Sequence, residues 1–356
     1  MSASRTYRRG AAPRMIVLVF GTRPEAIKLG PVAAALADRK VPFRVLCSGQ
    51  HTTLLRGTPA ETDLVSASSL LLPSEDRPQE WMGKAVERFG LRFRQWNPSL
   101  VVVQGDTMTA LAATQAAYVE GIPVAHVEAG IRSGSLTEPW PEEEARFRID
   151  GLASIRYAAT RHAVANLVVE GRESFLTGNT VVSAMQRYGG GIAPLPSTFP
   201  PTVLVTLHRR ELRMDPKVRG LLRWLAAACE NHPERRFLWP VHPAMRSLAI
   251  PGPNLVLTDP LDYPTMQARL RTATALITDS GGLVEEATTL GIPTAIVRNH
   301  NDRPEAEEAG IAERFDRADI ALAVSWAAKA LRQTPATIYG DGSAANQIAL
   351  DLATRT

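Results

Sequence analysis

Short runs of apolar, mostly β-branched residues alternate with amphipathic stretches along almost the whole chain, and this alternation most restricts the fold. In the first half, the apolar runs lie at 15–20, 43–47, 100–103, 123–127 and 156–159. The stretches with helical spacing lie at 24–38, 80–89, 109–120, 142–153 and 163–170. Buried strands that alternate with helices are typical of a parallel sheet covered on both faces. The first half is therefore predicted to be a doubly wound α/β domain.

The alternation stops at 188–201, a segment dense in glycine and proline that suits a linker, and then resumes. The later strand-like runs lie at 202–206, 237–241, 255–257, 273–278 and 294–297. The later helix-like stretches lie at 216–230, 263–272, 283–290, 320–331 and 343–353. We predict two Rossmann-like, doubly wound α/β domains, 15–187 and 202–342, that face each other across a cleft. Ligands of such sheets bind beyond the carboxyl ends of the strands.

The excess of basic over acidic residues comes from the first 14 residues of the chain. The net charge is +4, from 40 basic and 36 acidic residues, and the segment 1–14 holds four arginines and no acid. The remaining body is neutral, which argues against a nucleic-acid binder. The segment 1–14 is predicted to be a disordered leader, which could still touch an anionic surface. It lacks the apolar core of a secretion signal.

The sequence also argues against a membrane-spanning protein and against a disulfide-stabilised fold. No window approaches the roughly 20 uninterrupted apolar residues that cross a bilayer. Cys47 and Cys229 lie far apart in the sequence, so a disulfide framework or a zinc site is not expected. We expect two reduced, buried thiols in a cytoplasmic protein without a membrane partner.

A strand-to-helix turn at 278–282, TDSGG, is the first candidate site. Free backbone N–H groups of Gly281 and Gly282 and the positive end of the helix dipole suit a phosphate, and Ser280 adds a hydroxyl donor. One turn later, Glu285 or Glu286 could accept both hydroxyls of a ribose. The alternative is an ordinary turn in which Ser280 only caps the helix.

Two cations lie near the start of the first predicted helix, in GTRPEAIK at 21–28. The helix dipole disfavours positive charge there, so Arg23 and Lys28 indicate an anionic ligand such as a diphosphate. A solvated loop arginine is the alternative reading of Arg23.

Three acidic residues follow separate elements of the first domain. Asp106 and Glu128 end predicted strands, and Glu142 opens a helix. Such a cluster is unfavourable unless a cation or a transferable proton compensates its charge. Asp106 and Glu142 could each be a helix cap alone, but together the three predict acid–base chemistry.

His208 follows the first strand of the second domain, beside Arg209 and Arg210, and is predicted to face the first domain. His242, which follows the next strand, is a weaker candidate. Phosphate-binding P-loops, G-x-G-x-x-G fingerprints, H-E-x-x-H motifs and paired C-x-x-C motifs do not occur in the sequence. No metal and no cofactor are therefore expected.

A set of segments in a fixed order resembles the non-hydrolysing UDP-N-acetylglucosamine 2-epimerase family. They include GTRPEAIKLGPV (21–32), GQH (49–51), QGDTMTALAATQAA (104–117), IPVAHVEAGIRSG (122–134), PWPEE (139–143), TLHRRE (206–211), TDSGG-x-x-EEA (278–287) and RPEAEEAG (303–310). The resemblance implies the two-domain GT-B fold, with UDP in the cleft and the last helix, 343–356, completing the first domain. It also implies an isomerase that needs no metal or nicotinamide, and a homodimer.

The implied reaction eliminates UDP from the sugar to give 2-acetamidoglucal and adds UDP back with inverted configuration at C2. By motif match, the implied catalytic residues are Asp106, Glu128, Glu142 and His208. The residues expected to bind the UDP-sugar are Arg23, Lys28, Arg146, Arg209, His242, Ser280, Gly281, Gly282, Glu286 and Arg303.

Several positions depart from the family pattern. Val284 replaces the usual Gln, Ala145 replaces Asn, and Leu212 follows HRRE in place of Asn. Thr53 lies where the family's allosteric site has Gln, so allosteric activation is predicted to be lost or altered. The departures leave four alternatives open: a hydrolysing epimerase, a paralogue for a related UDP-sugar, a GT-B glycosyltransferase and a non-catalytic nucleotide-sugar-binding protein.

Overall fold

The computed structural model describes residues 15–49, 57–64, 67–72, 78–135, 138–189 and 201–355, with the side chains of 78 and 79 left aside. The predicted leader, residues 190–200 of the predicted linker (188–201) and Thr53 lie outside the described residues. No helix among the described residues is long and apolar enough to cross a membrane.

The first unit is built on a parallel sheet of seven strands in the order β3-β2-β1-β4-β5-β6-β7. The strands are β1 (Ile16–Phe20), β2 (Phe43–Cys47), β3 (Ser68–Ser69), β4 (Leu100–Gln104), β5 (Val124–Ala129), β6 (Ile155–Ala158) and β7 (Phe175–Leu176). The helices are α1 (Arg23–Asp38), α2 (Pro78–Trp96), α3 (Met108–Val119), α4 (Glu142–Leu152), α5 (Arg161–Val169) and α6 (Thr180–Tyr188).

The second unit has a parallel sheet of six strands in the order β10-β9-β8-β11-β12-β13. The strands are β8 (Thr202–Thr206), β9 (Arg236–Pro240), β10 (Leu255–Thr258), β11 (Ala275–Thr278), β12 (Thr294–Val297) and β13 (Ala312–Phe315). The helices of this unit are α7 (Arg210–Arg213), α8 (Val218–Glu230), α9 (Tyr263–Thr272), α10 (Gly281–Thr289), α11 (Pro304–Glu308) and α12 (Ile320–Lys329), and the chain ends with α13 (Ala344–Arg355). The predicted fold class of two doubly wound parallel sheets is confirmed.

The strands missed from the sequence all lie at sheet edges. β3 and β7 have two residues each, and β13 reads AERF, with two exposed residues in the middle. An edge strand pairs with one neighbouring strand only and buries less apolar surface. Its apolar residues therefore form a weaker pattern in the sequence. The central strands β1 and β4 are buried at every residue, which explains why they were predicted nearly in full.

The last helix, α13, follows the second sheet in the chain but packs in the core of the first unit. Ala345, Ile348, Ala349 and Leu352 are buried beside apolar residues of α1, including Leu29. The first unit therefore contains chain from both ends of the sequence, and the chain crosses back to it after the second sheet.

Leu352→Ala is expected to lower the free energy of unfolding by about 2–5 kcal/mol, because it leaves a cavity between α13 and the first unit. Leu350→Ala is the matched control, since Leu350 on the same helix is 58% exposed while Leu352 is fully buried. Urea denaturation followed by fluorescence measures both. Equal losses for the two variants would contradict the packing of α13.

Candidate active site

Glu128, at the end of β5, lies in a backbone conformation that side chains rarely adopt. Its φ is +71°, in the left-handed region, and the pairing of β5 with β6 shifts register between Val127 and Ala129. A bulge of this kind turns a side chain out of its regular direction and is often found beside functional sites. Here the carboxylate accepts a hydrogen bond of 2.9 Å from Gln104 Nε2 on β4 and contacts Lys28 Nζ.

Lys28, Glu128, Glu285 and Arg303 form a buried ionic cluster across the two units, which we call the interdomain quartet. Lys28 Nζ lies 3.2 Å from Glu285 Oε2, and Arg303 Nε lies 2.9 Å from Glu285 Oε1. Arg303 Nη2 lies 3.4 Å from Glu128 Oε1. Burial lowers the pKa of Lys28, but Glu128 and Glu285 outweigh it and raise that pKa above its ordinary value. Each unit thus supplies one cation and one carboxylate.

Arg146 on α4 is the centre of a second ionic group that also spans the units. Its Nη2 lies 2.6 Å from Asp106 Oδ2 and contacts Asp302 of the second unit, and its Nη1 lies 3.0 Å from Glu143. Burial raises the pKa of Asp106, but Arg146 and other arginines outweigh it, so the pKa lies below its ordinary value. Asp302 also pairs with Arg303, which joins this group to the interdomain quartet.

The pKa of Glu142 is shifted in the opposite direction from that of Asp106, although both residues belong to the same site. Burial and the charge of Asp106 raise the pKa of Glu142 above its ordinary value. Its Oε1 lies 3.3 Å from Arg209 Nη1 of the second unit, and its Oε2 is buried with no hydrogen-bond partner among the described residues. Neighbouring carboxyl groups with opposed pKa shifts are suited to separate acid and base roles.

His208 lies at the carboxyl end of β8, where its imidazole meets an aspartate and a second histidine. Nδ1 lies 3.1 Å from Asp279 Oδ1, and the ring centroid lies 5.5 Å from that of His242. Burial and the nearby His208 lower the pKa of His242. Asp279 was missed as a candidate although it lies within the TDSGG motif; its signal is that β8 and β11 are neighbours in register.

In the turn before α10, the backbone of Gly281 lies close to the guanidinium group of Arg303. Ser280 is the N-cap residue of α10, but its hydroxyl makes no capping hydrogen bond. A Cβ on Gly281 would lie 2.6 Å from the guanidinium carbon of Arg303, so only glycine fits there without displacing that side chain. A Cβ on Gly282 would meet nothing within 4 Å. Glu286 follows on α10, buried, and accepts a hydrogen bond of 2.6 Å from Gln267 Nε2.

The structure brings most of the predicted residues together at the interface of the two units, but not all in the expected manner. Arg23 is exposed and makes no hydrogen bond or ion pair within the described part of the chain. Lys28 is engaged by two glutamates instead of being free beside the helix start. Asp302 and Gln104 were not singled out from the sequence, because nothing in their local pattern marks the contact of Asp302 with Arg146 of the first unit or that of Gln104 with Glu128 on the neighbouring strand. Among the described residues, no group of three or more possible ligands could hold a metal ion.

Comparison with known proteins identifies the family. A family profile described as UDP-N-acetylglucosamine 2-epimerase matches residues 34–353. The chain belongs to this family. A UDP-N-acetylglucosamine 2-epimerase of Yersinia pestis is 35% identical over 83% of this chain and 85% of the relative.

Solved structures match this chain over nearly its whole length. A co-structure of S. aureus MnaA with UDP has a TM-score of 0.85 and 26% identity, and covers 96% of each chain. The Neisseria meningitidis UDP-GlcNAc 2-epimerase bound to UDP-GlcNAc also has a TM-score of 0.85, with 27% identity, covering 96% of this chain and 100% of that one. The predicted GT-B-like arrangement and the family resemblance are confirmed.

In this epimerase family member, Gly281→Ala is expected to lower the free energy of unfolding by about 1–3 kcal/mol, because the new methyl group displaces Arg303 from its carboxylates. Gly282→Ala is the control and is expected to be neutral or stabilising by up to about 1 kcal/mol, since its Cβ has open space and alanine favours the helix. Chemical denaturation measures both. A Gly281→Ala variant as stable as Gly282→Ala would show that Arg303 is not held tightly.

Burial raises the pKa of Glu286 to about 7, so the folded chain holds that proton more strongly than the unfolded chain does. The stabilising contribution is complete below about pH 4.5, the ordinary value, and is lost as the pH rises through 7. Glu286→Gln removes the titration. Between pH 4.5 and pH 8, the stability of this variant relative to the original chain should therefore rise by about 1–3 kcal/mol.

Glu308→Gln, at an exposed position, is the control and should show no such rise. Urea denaturation at both pH values measures this, and a constant difference for Glu286→Gln would contradict the burial argument.

Proposed function

We propose that this chain interconverts UDP-N-acetylglucosamine and UDP-N-acetylmannosamine without hydrolysis. The main support for the proposal is that Asp106 and Glu142 of the first unit lie in one ionic site with Arg209 of the second. The relatives are named as 2-epimerases of UDP-N-acetylglucosamine, and related structures hold UDP or UDP-GlcNAc. These names and titles support the choice of substrate.

In this proposal the nucleotide binds mainly to the second unit. The diphosphate would lie at the N-terminus of α10, near Ser280, Gly281 and Gly282, where backbone N–H groups and the helix dipole favour an anion. Glu286 would accept the ribose hydroxyls. Arg23, which is exposed and free of partners among the described residues, would reach the phosphates from the first unit.

The C2 proton of the sugar is a poor acid, because no carbonyl group lies beside C2. Its removal must therefore be coupled to departure of the diphosphate from C1. As the C2–H electron pair forms the C1–C2 double bond, the C1–O bond breaks and its electrons leave with UDP. Arg209, His208 and the start of α10 would stabilise the charge that develops on the leaving phosphate.

The opposed environments of two carboxyl groups supply the proton transfers. Asp106, whose pKa is lowered by Arg146, suits a base, and Glu142, whose pKa is raised by burial, suits an acid. One removes the proton from one face of C2, and the other returns a proton to the opposite face as UDP adds back to C1. Their roles exchange in the reverse direction. Glu128 is the third proposed catalytic carboxylate; Lys28 and Arg303 hold it in place, and in this proposal it would lie beside the sugar.

Incubation with UDP-N-acetylglucosamine in heavy water, followed by proton NMR, tests the reaction. The proposal expects deuterium at C2 of both UDP-sugars, with UDP still attached. Release of UDP and free N-acetylmannosamine would instead identify a hydrolysing epimerase. An unchanged sugar would contradict epimerase activity, and turnover only with an added acceptor would indicate a glycosyltransferase.

Asp106→Asn and His208→Asn are each expected to fold and bind UDP, yet to lose C2 exchange by roughly 100- to 10,000-fold, because each removes a proposed acid–base group. Asp316→Asn and His162→Asn make the same chemical changes at exposed positions and should exchange at the original rate. Exchange is measured by NMR and UDP binding by calorimetry. Near-normal exchange in Asp106→Asn or His208→Asn would remove the assigned role.

A further inference from the structure

Both carboxylate oxygens of Asp279 are directed at one short segment, the residues after β8. Oδ2 accepts the backbone N–H groups of His208 and Arg209, each at 2.8 Å. Oδ1 lies 3.1 Å from Nδ1 of the His208 imidazole. Asp279 itself is only 1% exposed. One buried carboxylate therefore holds the main chain of this segment and also faces the ring of its histidine.

The positions of these two side chains follow from the sheet. β8 and β11 are neighbouring parallel strands with Thr206 opposite Thr278, so the residues just beyond each strand meet at the same edge. The Thr206 and Thr278 hydroxyls lie 2.7 Å apart, and the backbone N–H of Asp279 donates to the Thr206 carbonyl at 3.2 Å. The aspartate–histidine pair is thus built on rigid strands at the centre of the second sheet.

The charge state of Asp279 determines which nitrogen of His208 is available. Burial raises the pKa of Asp279, but hydrogen bonds from His208 and from the two backbone N–H groups outweigh it, and the pKa lies below its ordinary value. An ionised carboxylate accepts hydrogen bonds and cannot donate one, so the 3.1 Å approach of Oδ1 favours the tautomer in which Nδ1 carries the hydrogen. Nε2 makes no hydrogen bond to any residue in the described ranges, and the side chain is 36% exposed.

Within the described ranges, no other charged group supplies an alternative partner for Nδ1. The His242 ring lies 5.5 Å away, centroid to centroid, and burial, His208 and Arg213 lower the pKa of His242. Arg209 is directed at Glu142. Asp279 is therefore the acceptor that faces the imidazole.

We propose that Asp279 is a positioning residue, which keeps His208 in the Nδ1–H tautomer with Nε2 directed at the cleft. This inference rests on the role proposed above for His208. Neutral His208 can then accept a proton at Nε2, and the protonated ring can donate from Nε2 to an oxygen of the departing phosphate. Because Asp279 also fixes the backbone of Arg209, it aligns two groups beside the developing charge.

Asp279→Asn tests the proposal with little change in shape. The amide oxygen can still accept both backbone N–H groups, while the NH₂ group replaces Oδ1 beside Nδ1. Since NH₂ only donates, neutral His208 should change to the Nε2–H tautomer. Nitrogen-15 NMR of histidine-labelled protein reports the tautomer, and the spectrum of His208→Gln identifies the signal. The original chain should show Nδ1–H and the variant Nε2–H, and kcat should fall by about 100-fold or more with little change in UDP affinity.

A double-mutant cycle separates action through His208 from a general structural effect. In the His208→Gln background, Asp279→Asn should change kcat by less than about threefold, because the side chain through which it acts is absent. Asp215→Asn is the control: Asp215 accepts the backbone N–H of Lys217, lies 3.9 Å from Arg317 and contacts no histidine among the described residues. It should change neither the tautomer nor kcat.

Three results would overturn the proposal: an Nε2–H tautomer in the original chain, an unchanged tautomer in Asp279→Asn, or an undiminished effect of Asp279→Asn in the His208→Gln background. A changed tautomer with normal C2 exchange in Asp279→Asn would have a different meaning. It would support the positioning of the ring and contradict the catalytic role proposed for His208.

Discussion

The interdomain quartet is the interaction on which the arrangement of the two units depends. Lys28, Glu128, Glu285 and Arg303 are at most 8% exposed, so none of them can rely on water for its charge. Removal of one member of a buried ion pair typically costs about 3–5 kcal/mol, because the remaining charge is left uncompensated. The two units therefore have to meet in one register, and that register places Glu128 of β5 beside Arg303, the residue before α11.

The same electrostatic arrangement prepares the site for chemistry. The first unit contributes Asp106 and Glu142, Arg146 of the same unit pairs with Asp106, and Arg209 of the second unit pairs with Glu142. Arg146 is shared between Asp106 and Asp302, which couples the ionisation of the proposed base to contact between the units. A ligand that separates the units even slightly would change the charge around Asp106 and Glu142 together, so cleft closure and acid–base balance are linked.

The sequence predicted the architecture well because strands such as β1 and β4 are fully buried and have a clear pattern. It also predicted that Asp106 and Glu142 approach each other, since both lie at the same edge of one parallel sheet. Contacts between the units could not be predicted in this way. Partners such as Glu285 for Lys28 are 257 residues apart, and only the relative position of the two sheets brings them together.

The left-handed backbone at Glu128 has an evolutionary consequence. Glycine adopts a φ of +71° without the strain that any side chain suffers there, which costs about 1–3 kcal/mol. Replacement by glycine would relieve that strain but would leave Lys28 and Arg303 without their shared counter-charge, a loss of about 3–5 kcal/mol. Selection for stability alone therefore retains this glutamate in spite of its backbone, and a descendant that lost it would have to replace both cations as well.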